Sequence, residues 1–160
     1  MLDKDGYRPN VGIILCNQQG EVLWARRCGR DGWQFPQGGM RLKETPENAM
    51  YRELKEEVGL EAHHVELIGR TRDWLHYDLP KSMRGRGSRD FRGQKQIWFL
   101  LRFLGEESDV SLNCGEKPEF DDWRWVDYWS TVEQIIEFKR DVYRRALTEL
   151  EPLLSRASNQ

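Results

Sequence analysis

The chain has 160 residues, 38% of them hydrophobic and 32% charged, with 25 Lys and Arg against 27 Asp and Glu for a net charge of −2. That length suits one domain whose core needs no staples, and a near-neutral total sets aside a general polyanion binder. No stretch is apolar for long enough to span a membrane, and Met1-Leu2-Asp3-Lys4-Asp5 carries no leader signature.

Along the chain, Val11 to Cys16 is apolar enough for a buried strand, Asn17 to Gly20 reads as a turn, and Val22 to Arg27 returns as a second strand. Trp33-Gln34-Phe35-Pro36 alternates into Gly38-Gly39, where backbone must pass close to a neighbour. Thr45 as a cap, Pro46 in the first turn and Gly59 just past the end predict a helix over 46–58. A weak strand pattern runs from Val65 to Trp74 and on, broken, to Leu79. Residues 80–93 are rich in Gly and Arg and read as a mobile loop. Gln96 to Leu104 is a strong strand pattern and Trp123 to Val126 a short one. Ser130-x-x-Glu133 reads as a capping box opening a helical region to about Leu154, with a break near Phe138-Lys139. Without regular βαβ alternation, this order predicts an α+β fold, a mixed sheet between helices. One domain is expected over 1–155, with 156–160 a disordered tail. Cys16, Cys28 and Cys114 are widely spaced, which predicts free thiols in a reducing, cytoplasmic compartment. His63 and His64, after the helix, read as surface residues.

The densest chemistry lies in Gly38-x5-Glu44-x7-Arg52-Glu53-Leu54-x-Glu56-Glu57-x-Gly59-Leu60. On a helix Glu53, Glu56 and Glu57 share one face, where like charges repel by a few tenths of a kcal/mol per pair, about 0.2–0.5. Met50, Tyr51, Leu54 and Val58 form an apolar stripe beside them, so one side can meet a core while the other faces an ion. Oxygen-only ligands suit Mg²⁺ or Mn²⁺ held between carboxylates and substrate phosphates. Charge is also segregated elsewhere. Lys81, Arg84, Arg86, Arg89, Arg92 and Lys95 stand against Asp90 alone, and Glu106, Glu107, Asp109, Glu116, Glu119, Asp121 and Asp122 against Lys117. A basic rim and an acidic loop near one site would explain both.

The Gly38 to Leu60 stretch resembles the signature box of the Nudix hydrolases, which cleave diphosphate linkages in nucleoside-diphosphate derivatives. Beyond the box, Asp5 to Gly12, Trp33 to Gly39, Gly93 to Gln96 and Phe138 to Arg145 resemble the bacterial RNA pyrophosphohydrolase branch of that family and its diadenosine polyphosphate hydrolase relatives. The resemblance implies an α/β/α sandwich, a hydrolase using Mg²⁺ or Mn²⁺ and more than one ion, and conversion of 5′-triphosphorylated RNA to 5′-monophosphorylated RNA in mRNA decay. The alternative substrate is a dinucleoside polyphosphate. A non-catalytic nucleotide- or RNA-binding module is the alternative of another class, disfavoured because no box carboxylate is missing. A monomer is expected, with protein partners unspecified.

Residue roles follow from the box and the resemblance together. Glu53, Glu56 and Glu57 are the expected metal ligands, with Glu119 a further ligand or the base that takes a proton from water, against a plain solvated acid. A Gly38 carbonyl is a candidate ligand and Gly39 its companion, against a simple tight turn. Arg52 is expected to orient Glu44 with its guanidinium fork rather than touch substrate, and Gly59 to end the helix. The resemblance assigns phosphate contacts to Arg8, Gln94, Lys95 and Lys139, with ordinary surface cations as the rival reading at Arg8 and Lys95. It assigns base contacts to Arg27, Tyr77 and Phe138, against an inward-turned Tyr77 and a core Phe138.

Overall fold

A computed structural model describes residues 2–84, 91–112 and 117–158. Arg86 and Arg89 of the basic run, together with Cys114 and Glu116, lie outside the described residues. Among the described residues, one mixed sheet carries eight strands, with a core on each face.

The strands are β1 (Tyr7–Cys16), β2 (Val22–Arg27), β3 (Trp33–Gln34), β4 (Gln37–Gly39), β5 (Val65–Arg70), β6 (Leu75–Asp78), β7 (Gly93–Phe103) and β8 (Phe120–Val126). The order β3-β2-β1-β7-β5 is extended by β4 on β1, β6 on β7 and β8 on β2. The β1–β7 pair is parallel, from Tyr7 opposite Gly93 to Cys16 opposite Arg102, while the other pairs are antiparallel. Apolar content predicts β1 only from Val11. It begins at Tyr7 because its polar N-terminal residues are held by the backbone ladder to Gly93–Gln96.

One feature of this topology makes the cleft. Strand β2 pairs with β1 only at Cys16 and Val22, then runs off to pair with β3 and β8. Strand β4 takes its place beside β1 at Asn10 to Gly12. The sheet therefore forks, and the space between the branches is open at one end.

Helix α1 (Pro46–Val58) covers one face, burying Ala49, Met50, Leu54 and Val58 against Val11, Ile13, Ile97 and Phe99. Each such large side chain contributes roughly 1.5–3 kcal/mol by leaving water. Its ends are those the sequence predicts. The Thr45 hydroxyl accepts from the Asn48 N–H at 3.2 Å, and Gly59 turns out at φ 74°, a conformation costly for any residue with a Cβ.

The other face is aromatic. Trp24, Phe35, Trp98 and Tyr143 pack edge to face or tilted, with centroids 5.1–6.2 Å apart. Helices α2 (Ser130–Gln134), α3 (Arg140–Leu150) and α4 (Leu154–Ser158) lie on the chain that closes this side. The break before α3 falls at Glu137–Lys139, one 3₁₀ turn, as the sequence suggests. Ser130 does not cap α2. Its hydroxyl donates to the Asp127 carbonyl, and the Asp127 carboxylate accepts from the Trp129 and Ser130 N–H groups at 3.2 Å each. An acid three residues earlier thus takes the capping role. Residues 156–158, expected in a disordered tail, finish α4, where Ala157 is buried in the aromatic core. No helix among the described residues is long and apolar enough to cross a membrane.

Candidate functional site

A cleft of about 400 Å³ occupies the fork, lined from β1, β2, β3, β4, α1, β6, β7 and the turn before α3. A hollow of about 440 Å³ at Asn17, Phe103 and Trp125 gathers none of the helix carboxylates, so the chemistry lies in the fork.

Its acidic wall is built from α1. Glu53 is 6% exposed, and the Gly38 backbone passes directly over it; a Cβ at residue 38 would collide with the Glu53 carboxyl. This is the close approach that Gly38-Gly39 implies. Arg52 stands behind the wall as a five-contact brace. It donates to Glu44 at 2.8 and 2.9 Å, to Glu53 at 2.8 Å, to the Gly39 carbonyl at 2.8 Å and to Glu56 at 3.2 Å. The Arg52 hydrogen bonds hold the Glu44 carboxyl down to about 2. Arg52 therefore orients Glu44, as the sequence suggests, and Glu53 as well.

Glu57 lies next on the same face. Burial, then the charges of Glu53 and Glu119, push its carboxyl up to about 8. Burial also raises Glu53, outweighing the help from Arg52, and the two carboxyls are close enough to share a proton. Glu57 Oε2 is buried without a hydrogen-bond partner among the described residues. Glu119, from the loop entering β8, joins these two at the cleft, as does Gly38. Glu56 does not line it. It is exposed on the rim, paired with Arg41 at 3.3 Å and with Arg52.

The opposite wall is cationic and aromatic. Lys139 is only 7% exposed, and its ammonium donates to Gln34 at 3.3 Å and Gln37 at 3.5 Å. Burial, then the Arg27 charge, pushes it down to about 8. Arg27 lines the cleft beside it, and the Tyr77 and Phe138 rings lie 5.9 Å apart and tilted by 38°. Gln94 also faces in, with its side-chain oxygen buried and unpartnered among the described residues.

Two of the predicted phosphate contacts are elsewhere. Arg8 is exposed and lies over the Phe91 ring at 5.1 Å, outside the cleft lining. Lys95 follows Gln94 in β7, so it points to the other face of the sheet. There it pairs with Asp3 at 3.0 Å and lies over Trp74 at 4.8 Å. Tyr77 is 6% exposed, with its ring in the aromatic core, so the inward rival is correct for most of its surface. His64 accepts the Glu61 N–H at 2.9 Å and serves a turn.

Asn10, Gln34 and Gln37 also line the cleft, and the sequence pattern alone does not mark them as site residues. Gln96 holds Asn10 at 2.8 Å and itself accepts from the Trp98 indole at 3.1 Å, a buried amide chain running from core to cleft. The available signal was an uncharged amide interrupting an apolar strand, which burial makes costly without a partner.

The donor set fits hard divalent cations. Buried carboxylates repel one another, one oxygen lacks a partner, and all candidate donors are oxygens. Among the described residues no three acidic, His or Cys side chains already converge as a metal cage, consistent with Glu56 facing Arg41 and Arg52.

The model of the NUDIX domain family matches residues 6–146. The chain is 58% identical over 155 residues to an RNA pyrophosphohydrolase of Hahella chejuensis, covering 96% of each. Among solved structures it superposes on an E. coli dihydroneopterin triphosphate pyrophosphohydrolase with TM-score 0.70 at 21% identity, covering 89% of this chain and 98% of that one. It also superposes on a C. elegans Ap4A hydrolase complex with TM-score 0.63 at 17% identity, covering 89% and 98%. At those identities the structural likenesses speak for the fold.

Proposed function

The chain belongs to the Nudix family of hydrolases, and on that premise we propose that it removes pyrophosphate or phosphate from 5′-triphosphorylated RNA, leaving a 5′-monophosphate. The observation that carries the reading is the cleft itself, lined by the carboxylates Glu53, Glu57 and Glu119 together with the cations Lys139 and Arg27, a combination that suits a metal-bound polyphosphate. The RNA pyrophosphohydrolase relative, at 58% identity, supports the choice of substrate.

Family members work with divalent ions, and we assign Mg²⁺ or Mn²⁺, more than one, to Glu53, Glu57 and the Gly38 backbone, with Glu56 contributing from the rim. When bound, such ions neutralise phosphate oxygens and lower the pKa of water. Arg52 keeps Glu53 in one orientation, so that little rearrangement accompanies reaction. Glu119 is exposed at the cleft and in no ion pair among the described residues, which leaves it able to take the proton as water attacks phosphorus and the anhydride P–O bond breaks. Lys139 and Arg27 bind the phosphate oxygens, and Phe138 flanks the first bases. Cys28 is an exposed free thiol, which supports reading the compartment as a reducing, cytoplasmic one.

Purified protein with Mg²⁺ should turn over 5′-triphosphorylated RNA at a higher kcat/KM than diadenosine tetraphosphate. The reverse order would make the dinucleotide the principal substrate. Glu53→Gln should abolish measurable turnover of both; unchanged activity in that variant would overturn the assignment of catalysis to Glu53, and no turnover by the parent would make the chain a binding module.

A further inference from the structure

Beyond the cleft, β8 and β3 carry an arrangement that neither the box nor the predicted contacts include. The Arg124 guanidinium lies over the Trp33 ring at 4.1 Å from its centroid. Arg124 is exposed and Trp33 half-buried. Arg124 stands directly opposite Trp24 in the β2–β8 pair, so it shares the face of the sheet on which Trp24 enters the aromatic core. Trp33 packs against that same core, as does Phe138 of the cleft wall. Trp33 also immediately precedes Gln34, the residue that holds Lys139.

Charge along this edge is mixed, with Asp31, Asp121 and Asp122 around Arg26. Arg26 is neutralised by Asp121 at 2.7 Å. Arg27 and Arg124 are in no ion pair among the described residues. They lie three positions apart along the paired strands, an axial span of about 10 Å, and on opposite faces: Arg124 opposite Trp24 on the aromatic-core face, and Arg27 opposite Phe120 at the end of β2 beside the cleft, so a strand passing from one to the other rounds that end. A planar cation stacked on an indole presents a flat surface next to an unneutralised charge. That combination suits a nucleobase and its phosphate rather than a protein side chain.

We propose that the Trp33–Arg124 stack is a second base platform, receiving single-stranded RNA as it leaves the cleft past Arg27. This rests on the RNA reading above and specifies how far along the strand the chain holds its substrate. Flat stacking with charge pairing reads no base edges, so the platform favours length rather than sequence.

The test is a length series. Arg124→Ala removes an exposed side chain, so the variant should fold, and its kcat/KM on a triphosphorylated eight-nucleotide RNA should fall about ten-fold. Turnover of a triphosphorylated dinucleotide should stay within about two-fold of the parent, since it ends before the platform. Arg124→Lys, keeping charge without the plane, should recover only part of the loss. Equal losses on both lengths would make Arg124 a support of the cleft and overturn the platform, as would no loss on either. Fluorescence anisotropy with a 5′-monophosphorylated octanucleotide separates the two readings. If the parent protein hydrolyses no triphosphorylated RNA, the activity reading fails, whereas weaker octanucleotide binding by Arg124→Ala would still support the platform.

Discussion

The two walls of the cleft put opposite charges into the same poorly solvated space and handle them differently. The acidic wall has its counterion built in behind it: Arg52 braces Glu44 and Glu53 from the protein side. The cationic wall has none. Lys139 leans on the neutral oxygens of Gln34 and Gln37 and lies over the Tyr77 ring at 5.8 Å, and no ion pair among the described residues relieves it. Burial works against charge on both walls, pushing Glu57 up to about 8 and Lys139 down to about 8. On the proposed reading, the braced acid wall holds its carboxylates in one orientation for ions, while the unbraced cationic wall is left for phosphate. Burial makes charge costly on each wall, and the metal–polyphosphate complex proposed above would relieve both.

The most severe way to break this symmetry is Glu57→Gln. Steady-state turnover should fall roughly 10²–10⁴-fold. In metal-free protein the same change should improve stability at high pH. The folded form keeps the Glu57 proton up to about pH 8, whereas the unfolded chain releases it near 4.5. The stability this contributes is complete below 4.5 and lost as pH rises through 8, at most about 5 kcal/mol and less to the extent that solvent screens the partly exposed carboxyl. Chemical denaturation in chelator from pH 5 to 9 should show that loss in the parent, and Mg²⁺ should remove it.

Lys139→Met attacks the other wall with the opposite pH sign. Its folded pKa lies below the ordinary 10.5, so the parent should gain stability as pH rises from about 8 to 10.5, by roughly 2–3 kcal/mol. The variant should be more stable than the parent at pH 7 and lack that gain, while kcat/KM falls roughly 30-fold or more. Arg52→Lys sharpens the comparison from behind. One ammonium cannot replace a fork with five contacts, and kcat should drop about 10–100-fold with the fold intact by circular dichroism. Thr45→Ala is the mildest. It should cost about 1 kcal/mol in denaturant midpoint through the lost cap and leave kcat within two-fold.

Much of the acidic wall was legible because its signals are local. Helix boundaries at Pro46 and Val58, the partnership of Arg52 with Glu44 and the tight passage at Gly38 all follow from spacing and side-chain chemistry over some twenty residues. The cationic wall was readable only in part. Phe138, Lys139, Arg27 and Gln94 do line the cleft, whereas Arg8 and Lys95 carry the same charge and sequence plausibility but face elsewhere.

What the chain determined by itself was the α+β class, the carboxylate face of α1 and the brace behind it, since helix period and capping act within one turn or two. What only the tertiary structure decided was membership of the second wall. A strand alternates faces at every residue, so the placement of Gln94 and Lys95 depends on partners distant in sequence. The fork between β2 and β4, which makes room for a substrate, arises from pairings among residues 10 to 39 that no local pattern announces.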